Sequence, residues 1–543
     1  MGNQLKHSAN MKPRLLLTTA IGPFGEMDGA SINDIHESRM THCQGIFTQR
    51  SYYPALPLYI LAQNITAPAT VLENPTLADF EAEVKTGYDY IGITFPPIFL
   101  AKVYHMCMMI RSLAPNTRII LGGYGVFCLE ENVGIARKVK ELAHHVCRGE
   151  GVRFLRELLG ESLERPITQN LPRNYTYFMD QPASVLCNLV SSLGCNNDCE
   201  FCGTSAFFNH KKVYLLSPGQ LWDQMKKNAL SDKSELTWIY DEDFFDPPEY
   251  AREFGKLIKA QSEVPRHKIN WGALGSVRSL SQFSIEEFHE MGVNHIWVGI
   301  ESKFSDLPKR QGKDIRELFE TFHSAGIMTI GSFIIGQDCQ TPKNIEEDIA
   351  FFADINPTFT QVTGLLPCPG TKLWKRLEAD NRLGDFENIS WEDYHMFHVH
   401  YKPKYLADED VLKYIRMTYE RSFNKCGPSI LRAMEVHLNG LLFSRRSHNP
   451  LIQARENYYT NMCRQIYPVL FSIKLFAPSL EVAKRVDQMR RTYHKLLGTS
   501  TLQARATAIG AAIGAAFLKI RPKSWAKKID RVSRITRFNG ATN

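Results

Sequence analysis

Cys195, Cys199 and Cys202 follow the apolar run Val185 to Val190 with the spacing Cys-x3-Cys-x2-Cys. That spacing places three thiolates on one short loop at the end of an expected strand. Thiolates are soft ligands suited to iron–sulfur clusters and to zinc. A closed zinc site takes four protein ligands, and the nearest fourth candidate is His210, eight residues on. A cube of four irons held by three thiolates leaves one iron without a protein ligand, and chemistry can happen there. A zinc knuckle completed by His210 and an inert cysteine cluster are the two other readings of the trio.

The run Leu193-Gly-Cys-Asn-Asn-Asp-Cys-Glu-Phe-Cys-Gly203 resembles the signature of the radical S-adenosylmethionine (SAM) enzymes, with Phe201 just before the third cysteine. The resemblance implies a [4Fe-4S] cluster on Cys195, Cys199 and Cys202, with SAM chelated at the open iron through its amino and carboxylate groups. In that family an electron from the cluster cleaves the sulfonium to a 5′-deoxyadenosyl radical, which takes a hydrogen atom from a substrate. The cofactor carries the hard chemistry, and the protein supplies position and exclusion of water.

Later strand ends carry residue types that SAM handling needs. Asp241-Glu-Asp243 follows Ile239-Tyr240 and is similar to the acidic strand-end motif of cobalamin-type members, so Asp241 and Asp243 are candidates to face the methionyl ammonium. A solvated acidic turn is the plain alternative. Ser276 and Arg278 follow Trp271-Gly-Ala-Leu-Gly275, and an arginine there can pair bidentately with the SAM carboxylate or form a surface salt bridge. Glu301, in Val298-Gly-Ile-Glu-Ser302, matches the family's strand end whose carboxylate accepts from ribose hydroxyls. Phe333-Ile-Ile-Gly336 and Leu366-Pro-Cys-Pro-Gly-Thr371 resemble the fifth- and sixth-strand motifs, with Gly336 expected near adenine. Cys368 reads as a passive core cysteine or as a second radical site.

The elements that position these residues are legible in the alternation of short apolar strands with amphipathic helices from Pro13 onward, the pattern of a doubly wound parallel sheet. The fold class expected is therefore α/β, with a Rossmann-like front domain over 13–160, a linker rich in proline and polar residues over 161–182, a partial (β/α)6 barrel over 183–403 and a helical region over 404–543. Strand candidates at Leu236 to Tyr240, Ile269 to Leu274, His295 to Ile300, Thr329 to Ile335 and Thr360 to Leu366 supply the barrel, whose active groups belong at the C-terminal strand ends. The front domain is similar to the cobalamin-binding domain found ahead of many radical SAM enzymes, in Tyr90-Ile-Gly-Ile-Thr94, Ile119-Ile-Leu-Gly-Gly-Tyr-Gly125 and Arg148-Gly-Glu-Gly151. Thr94, Gly122 and Gly123 are its candidate cofactor contacts. Asp34-Ile-His36 supplies half of the lower-axial motif of such domains, but Arg39 stands where glycine is expected. Cobalamin held without a protein histidine and a degenerate domain packed beside the barrel both remain open.

At 543 residues the chain is too long for one ordinary core, and 22% charged with 44% hydrophobic residues is a globular composition. Twelve cysteines, nine of them widely spaced, read as reduced thiols of a cytoplasmic protein rather than a disulfide framework. The net charge of +7 is modest, and no interleaving of aromatics with arginines marks a nucleic-acid platform. No apolar run is long enough to span a bilayer. Much of the positive charge lies from Lys519 to Arg537, behind the apolar stretch Ala506 to Leu518. There Trp525, Ile529 and Val532 share a face if the segment is helical, so the tail is expected either to touch an anionic membrane surface or to dock on the protein.

These readings converge on a cobalamin-type radical SAM enzyme that methylates an unactivated carbon of a small molecule or lipid, reduced by a donor such as flavodoxin or ferredoxin. The alternative enzyme is a cyclase, C–C coupling or rearrangement catalyst without cobalamin. A non-enzymatic metal-binding interaction protein is the third reading.

Overall fold

The computed structural model describes residues 12–22, 26–27, 30–31, 36, 38–131, 134–179, 181–231, 236–520 and 533–540. In chain order the first strands are β1 (Leu15–Thr18), the hairpin β2 (Glu26–Met27) and β3 (Ala30–Ser31), β4 (Gln49–Tyr52), β5 (Ala69–Glu73), β6 (Tyr90–Thr94), β7 (Arg118–Gly122) and β8 (His145–Val146). There follow β9 (Asn174–Phe178), β10 (Gln181–Leu189), the hairpin β11 (Ser192–Leu193) and β12 (Val213–Tyr214), β13 (Leu236–Ile239), β14 (Trp271–Gly275), β15 (Val293–Glu301), β16 (Met328–Ile335), β17 (Phe359–Gly364) and β18 (Arg534–Phe538).

The front sheet has the order β18-β5-β1-β6-β7-β8. Every residue of β1 and β5 is buried, because helices cover both faces and the parallel strands must be apolar throughout. The chain moves from β1 to β5 on one side and returns to β6 on the other, so the order reverses at β1. Open sheets of this type bind ligands beyond the strand ends at such a reversal.

The second sheet curls through β17-β16-β15-β14-β13-β10-β9-β4, its first six members parallel. Residues alternate across it as the pleat requires. Along β15, Ile296, Val298 and Ile300 are fully buried in the layer shared with the surrounding helices, whereas Trp297 joins Trp238, Tyr240, Leu274 and Ile330 in an inner apolar cluster.

Two elements depart from the sequence reading. The proline-rich segment expected to be a plain linker contains β9, which pairs antiparallel with β10, and β4 pairs with β9 in turn. The turn Arg39–Thr41 just before β4 packs against β17 at the other edge of the sheet, where Tyr419 donates to the Arg39 carbonyl across 2.8 Å. Residues between the first and second strands of the front sheet thus close the gap in the curled one. Backbone pairing at a sheet edge depends on long-range docking rather than on local pattern.

The region after residue 404 is helical, with long helices Asp408–Cys426, Ser429–Arg446, Leu480–Leu497 and Leu502–Ile520. Of the basic segment expected to be helical beyond Ile520, only the last part is described, and that part is a strand. Residues 521–532, which include Trp525, Ile529 and Val532, lie outside the described residues, while Arg534–Phe538 form β18, antiparallel to β5. There Phe538 meets the Tyr59 ring edge-on at 6.5 Å, and Arg537 pairs with Glu83 at 2.8 Å. An exposed edge presents unpaired backbone groups, and this strand satisfies them on β5. Among the described residues no helix is long and apolar enough to cross a membrane.

Candidate active site at the thiol cavity

The loop carrying the cysteines is built by its neighbours. After β10 the chain passes Ser191 and Ser192, whose backbone N–H groups donate to Asp241 Oδ1 at 2.8 and 3.0 Å and whose hydroxyls both donate to Oδ2 at 2.5 Å. Gly194 then turns with φ +76°, and a Cβ there would lie 2.3 Å from the Lys211 carbonyl oxygen. Only glycine fits both demands. Cys202 caps the short helix Gly203–Phe207, its sulfur accepting from the Ser205 N–H at 3.5 Å. On the outer side, Arg376 joins Glu200 at 2.8 Å to Asp338 at 2.6 Å.

Cys195, Cys199 and Cys202 line one cavity of about 160 Å³, together with Phe201, Glu242, Asp243, Ser276 and Glu301. Among the described residues no three histidine, cysteine or carboxylate side chains converge on a point that a single ion would occupy. His210 instead turns Nδ1 to Ser205 at 3.1 Å and Asp198 at 3.2 Å. Burial pushes the thiols up, Cys195 to about 11 and Cys202 to about 12, and raises Cys199 as well. Thiols spread around one cavity fit a multi-iron cluster, whose binding displaces their protons to solvent.

Asn197 was not singled out by spacing, yet it organises the site. Its side-chain amide donates to Cys195 Sγ at 3.2 Å and to Asp243 Oδ2 at 3.0 Å, and its carbonyl accepts from Arg278 Nη2 at 2.9 Å. Asp243 Oδ1 also accepts from Ser279 Oγ at 2.7 Å and from the Ser276 N–H at 3.3 Å, which ties the ends of β13 and β14 to the cysteine loop.

At the end of β15, Glu301 adopts φ +62°, a left-handed conformation costing about 1 to 3 kcal/mol in a residue with a side chain. Its carboxylate accepts from Lys309 Nζ. The Lys309 ammonium also lies 5.4 Å from the Phe201 ring centroid. Burial alone lowers the Lys309 pKa, but the charges of Glu301 and Cys199 raise it on balance. Gly299 leaves room for the pair, since a Cβ there would lie 2.3 Å from Glu301 Oε1 and 2.9 Å from Lys309 Nζ. Glu242 faces the cavity with its carboxyl lifted to about 7, by burial and then by the charge of Asp241, against a lowering hydrogen bond from Thr204.

Not every expected residue reaches this cavity. Asp241 is absorbed by Ser191 and Ser192, so it positions the loop instead of facing a ligand. Arg278 lies between Asn197 and Asp246, the latter at 3.6 Å. Gly336, φ +100°, is covered by Tyr401, whose hydroxyl donates to the Gly336 carbonyl at 2.6 Å, so the backbone there packs on the protein itself. Thr94, Gly122 and Gly123 form the adjacent crest of the front sheet: a Cβ on Gly123, φ +85°, would lie 2.8 Å from Thr94 Oγ1. The crest meets the barrel where Tyr124 lies edge-on to Phe207 at 5.1 Å and Arg148 stacks between Phe127 and Phe207 at 4.1 and 4.5 Å. Lys309, Glu242, Trp297 and Ser332 also line the cavity. Glu242 stood inside a motif already in view, while Lys309 has no signal in the sequence.

The partial barrel carries three thiols around one cavity, on the loop after its first parallel strand. Residues 189–352 match the model of the Radical SAM superfamily. The chain is 24% identical to an uncharacterized methyltransferase of Pyrococcus horikoshii, over 64% of this chain and 81% of that protein. It is 23% identical to the bacteriochlorophyllide d C-12(1)-methyltransferase of Chlorobaculum tepidum, over 64% of this chain and 77% of that one. Its fold resembles that of the radical SAM methyltransferase TsrM from Kitasatospora setae, solved with cobalamin and a [4Fe-4S] cluster bound, with a TM-score of 0.53 and 12% identity over 84% of this chain and 99% of that chain.

Proposed function

We propose that this enzyme is a cobalamin-dependent radical SAM methyltransferase acting on an unactivated carbon. The observation that carries the reading is that the front-sheet crest and the thiol cavity meet across the Tyr124–Phe207 contact, so a ligand on the crest and a ligand in the cavity border the same space. The crest suits a flat ligand laid on bare backbone. At Gly149, φ +109°, an added Cβ meets nothing within 4 Å, and at Gly122 it meets only Cys147 Cβ at 3.7 Å. Of the half axial motif, Asp34 lies outside the described residues and His36 is exposed with its ring 6.4 Å from that of Tyr53.

In this reading Cys195, Cys199 and Cys202 hold the cluster, and Asn197 stabilises the Cys195 sulfur. Glu301, with Lys309 behind it, accepts from ribose hydroxyls, and Ser276 and Asp243 border the methionyl end. When bound, the cluster with SAM supplies a 5′-deoxyadenosyl radical, and cobalamin supplies the methyl group. Trp297 and Leu274 keep water from the reacting carbon. An anaerobic inventory tests the proposal: iron and sulfide in equal amounts with about one cobalt per chain, and S-adenosylhomocysteine formed with 5′-deoxyadenosine. Deoxyadenosine alone without cobalt would assign cyclisation, C–C coupling or rearrangement instead.

The helix Leu502–Ile520 adds peripheral contact with an anionic membrane to the reading. Leu502, Ile509, Ile513, Phe517 and Ile520 share one face and are between 58% and 84% exposed. Contiguous apolar surface of this kind marks an interaction site, and the basic run from Lys519 follows directly. A lipid substrate drawn from that surface is consistent with such contact.

A further inference from the structure

Arg39 lies inside the curled sheet. It is 8% exposed, and its guanidinium carbon lies 5.3 Å from the Tyr53 ring centroid and 6.0 Å from that of Trp297. Trp297 is itself a wall of the thiol cavity, and Met40 beside Arg39 packs into the inner cluster with Trp238, Tyr240 and Leu274. Among the described residues, Arg39 Nη1 donates to the His36 carbonyl at 2.5 Å, Nε has no partner, and no carboxylate pairs with the side chain.

A buried cation without a counter-charge is unfavourable, and removing the anion from such a pair is more costly than never forming it. The guanidinium edge carrying Nε matches a carboxylate in a planar, two-point geometry. The rings beside it accept a flat apolar body. We propose that Arg39 anchors a carboxylate of the substrate, with the apolar or aromatic remainder lying against Trp297 and Trp238 and the reacting carbon turned toward the thiol cavity. The anchor rests on the reading of that cavity as the reaction chamber. It also gives the turn Arg39–Thr41 a purpose beyond closing the sheet, since that turn delivers the charge.

Calorimetric titration of the anaerobically reconstituted holoprotein with 2-naphthoate and with 2-naphthamide tests the proposal without turnover. Naphthoate should bind about tenfold or more tightly than the uncharged amide, the effect of one charge-assisted hydrogen-bonded pair. Arg39→Met should abolish the difference, and Arg39→Lys, which keeps the charge but loses the fork, should retain a smaller one. Where Arg39→Met does not load iron, the comparison of Arg39→Lys with wild type decides. Equal affinity for the two probes, no binding of either, or a preference that survives loss of the guanidinium overturns the anchor. Iron and sulfide measured on the same samples report separately on the cluster.

Discussion

The Asn197 side-chain amide donates to the Cys195 sulfur across 3.2 Å. Hydrogen bonds to cluster sulfurs help set reduction potential, because they stabilise the added negative charge. Asn197→Ala should therefore load iron but shift the cluster potential to a more negative value, read by a redox titration followed by electron paramagnetic resonance. An unchanged potential would leave Asn197 with a purely structural part.

Asp241 is tested through the loop it holds. Asp241→Ala leaves two buried serines and two backbone N–H groups without their acceptor, and hydrogen bonds to a charged group contribute about 1.5 to 3 kcal/mol each. The expected outcome is a stability loss of at least about 3 kcal/mol in denaturant melts once the loop relaxes, with iron incorporation reduced. A variant that binds SAM weakly but melts like wild type would show instead that Asp241 contacts the ligand.

Gly299→Ala puts a methyl group where Glu301 and Lys309 meet. SAM affinity, measured calorimetrically on reconstituted protein, should fall by about tenfold or more, as expected for displacing a charge-assisted contact, while iron content stays at the wild-type level. Retained affinity would remove Glu301 from the SAM site.

Acid should destabilise the fold through His295, His323 and His437. Burial lowers His295 and His437 to about 3 and His323 to about 4, with a smaller depression of His437 from His295 and of His323 from Arg432. Unfolded histidine titrates near 6.5, so below that pH the unfolded chain binds protons the native fold refuses. Stability is full above about 6.5 and declines as pH falls toward 4, with a limiting slope of about 4 kcal/mol per pH unit for three groups. Denaturant melts at pH 7, 6 and 5 check the decline, and His437→Gln should make it shallower.

The two faces of the chain's end call for separate tests. Arg537→Ala removes the partner of the buried Glu83 carboxylate; because the guanidinium is half exposed, the expected cost is about 1 kcal/mol, and hydrogen exchange at the β5 amides should quicken. Phe517→Glu should weaken flotation with anionic vesicles by about tenfold, the effect of withdrawing one large apolar side chain from lipid. Equal recovery of both proteins with the vesicles would rule out that helix as the contact.

The cysteine trio and the six parallel strands were legible because each depends on local pattern: ligand spacing within eight residues, and apolar runs ended by glycine or a polar turn. Asp243 and Glu301 were legible for the same reason, as strand-end residues. Asp241 shows the limit. Its neighbours Ser191 and Ser192 are fifty residues upstream, and nothing in Asp-Glu-Asp says which carboxylate turns to the loop and which to the cavity. Lys309 reaches Glu301 only through the turn Pro308–Arg310, and a lysine on a turn reads as a surface charge.

The sequence by itself determined the chemistry, since three thiols at close spacing suit few centres and apolar periodicity dictates strand and helix. The tertiary structure decided the company those residues keep. Pairing of β4 with β9, of β18 with β5, and the burial of Arg39 between Tyr53 and Trp297 all join residues far apart in the chain, and such contacts are set by packing and desolvation that no local pattern encodes.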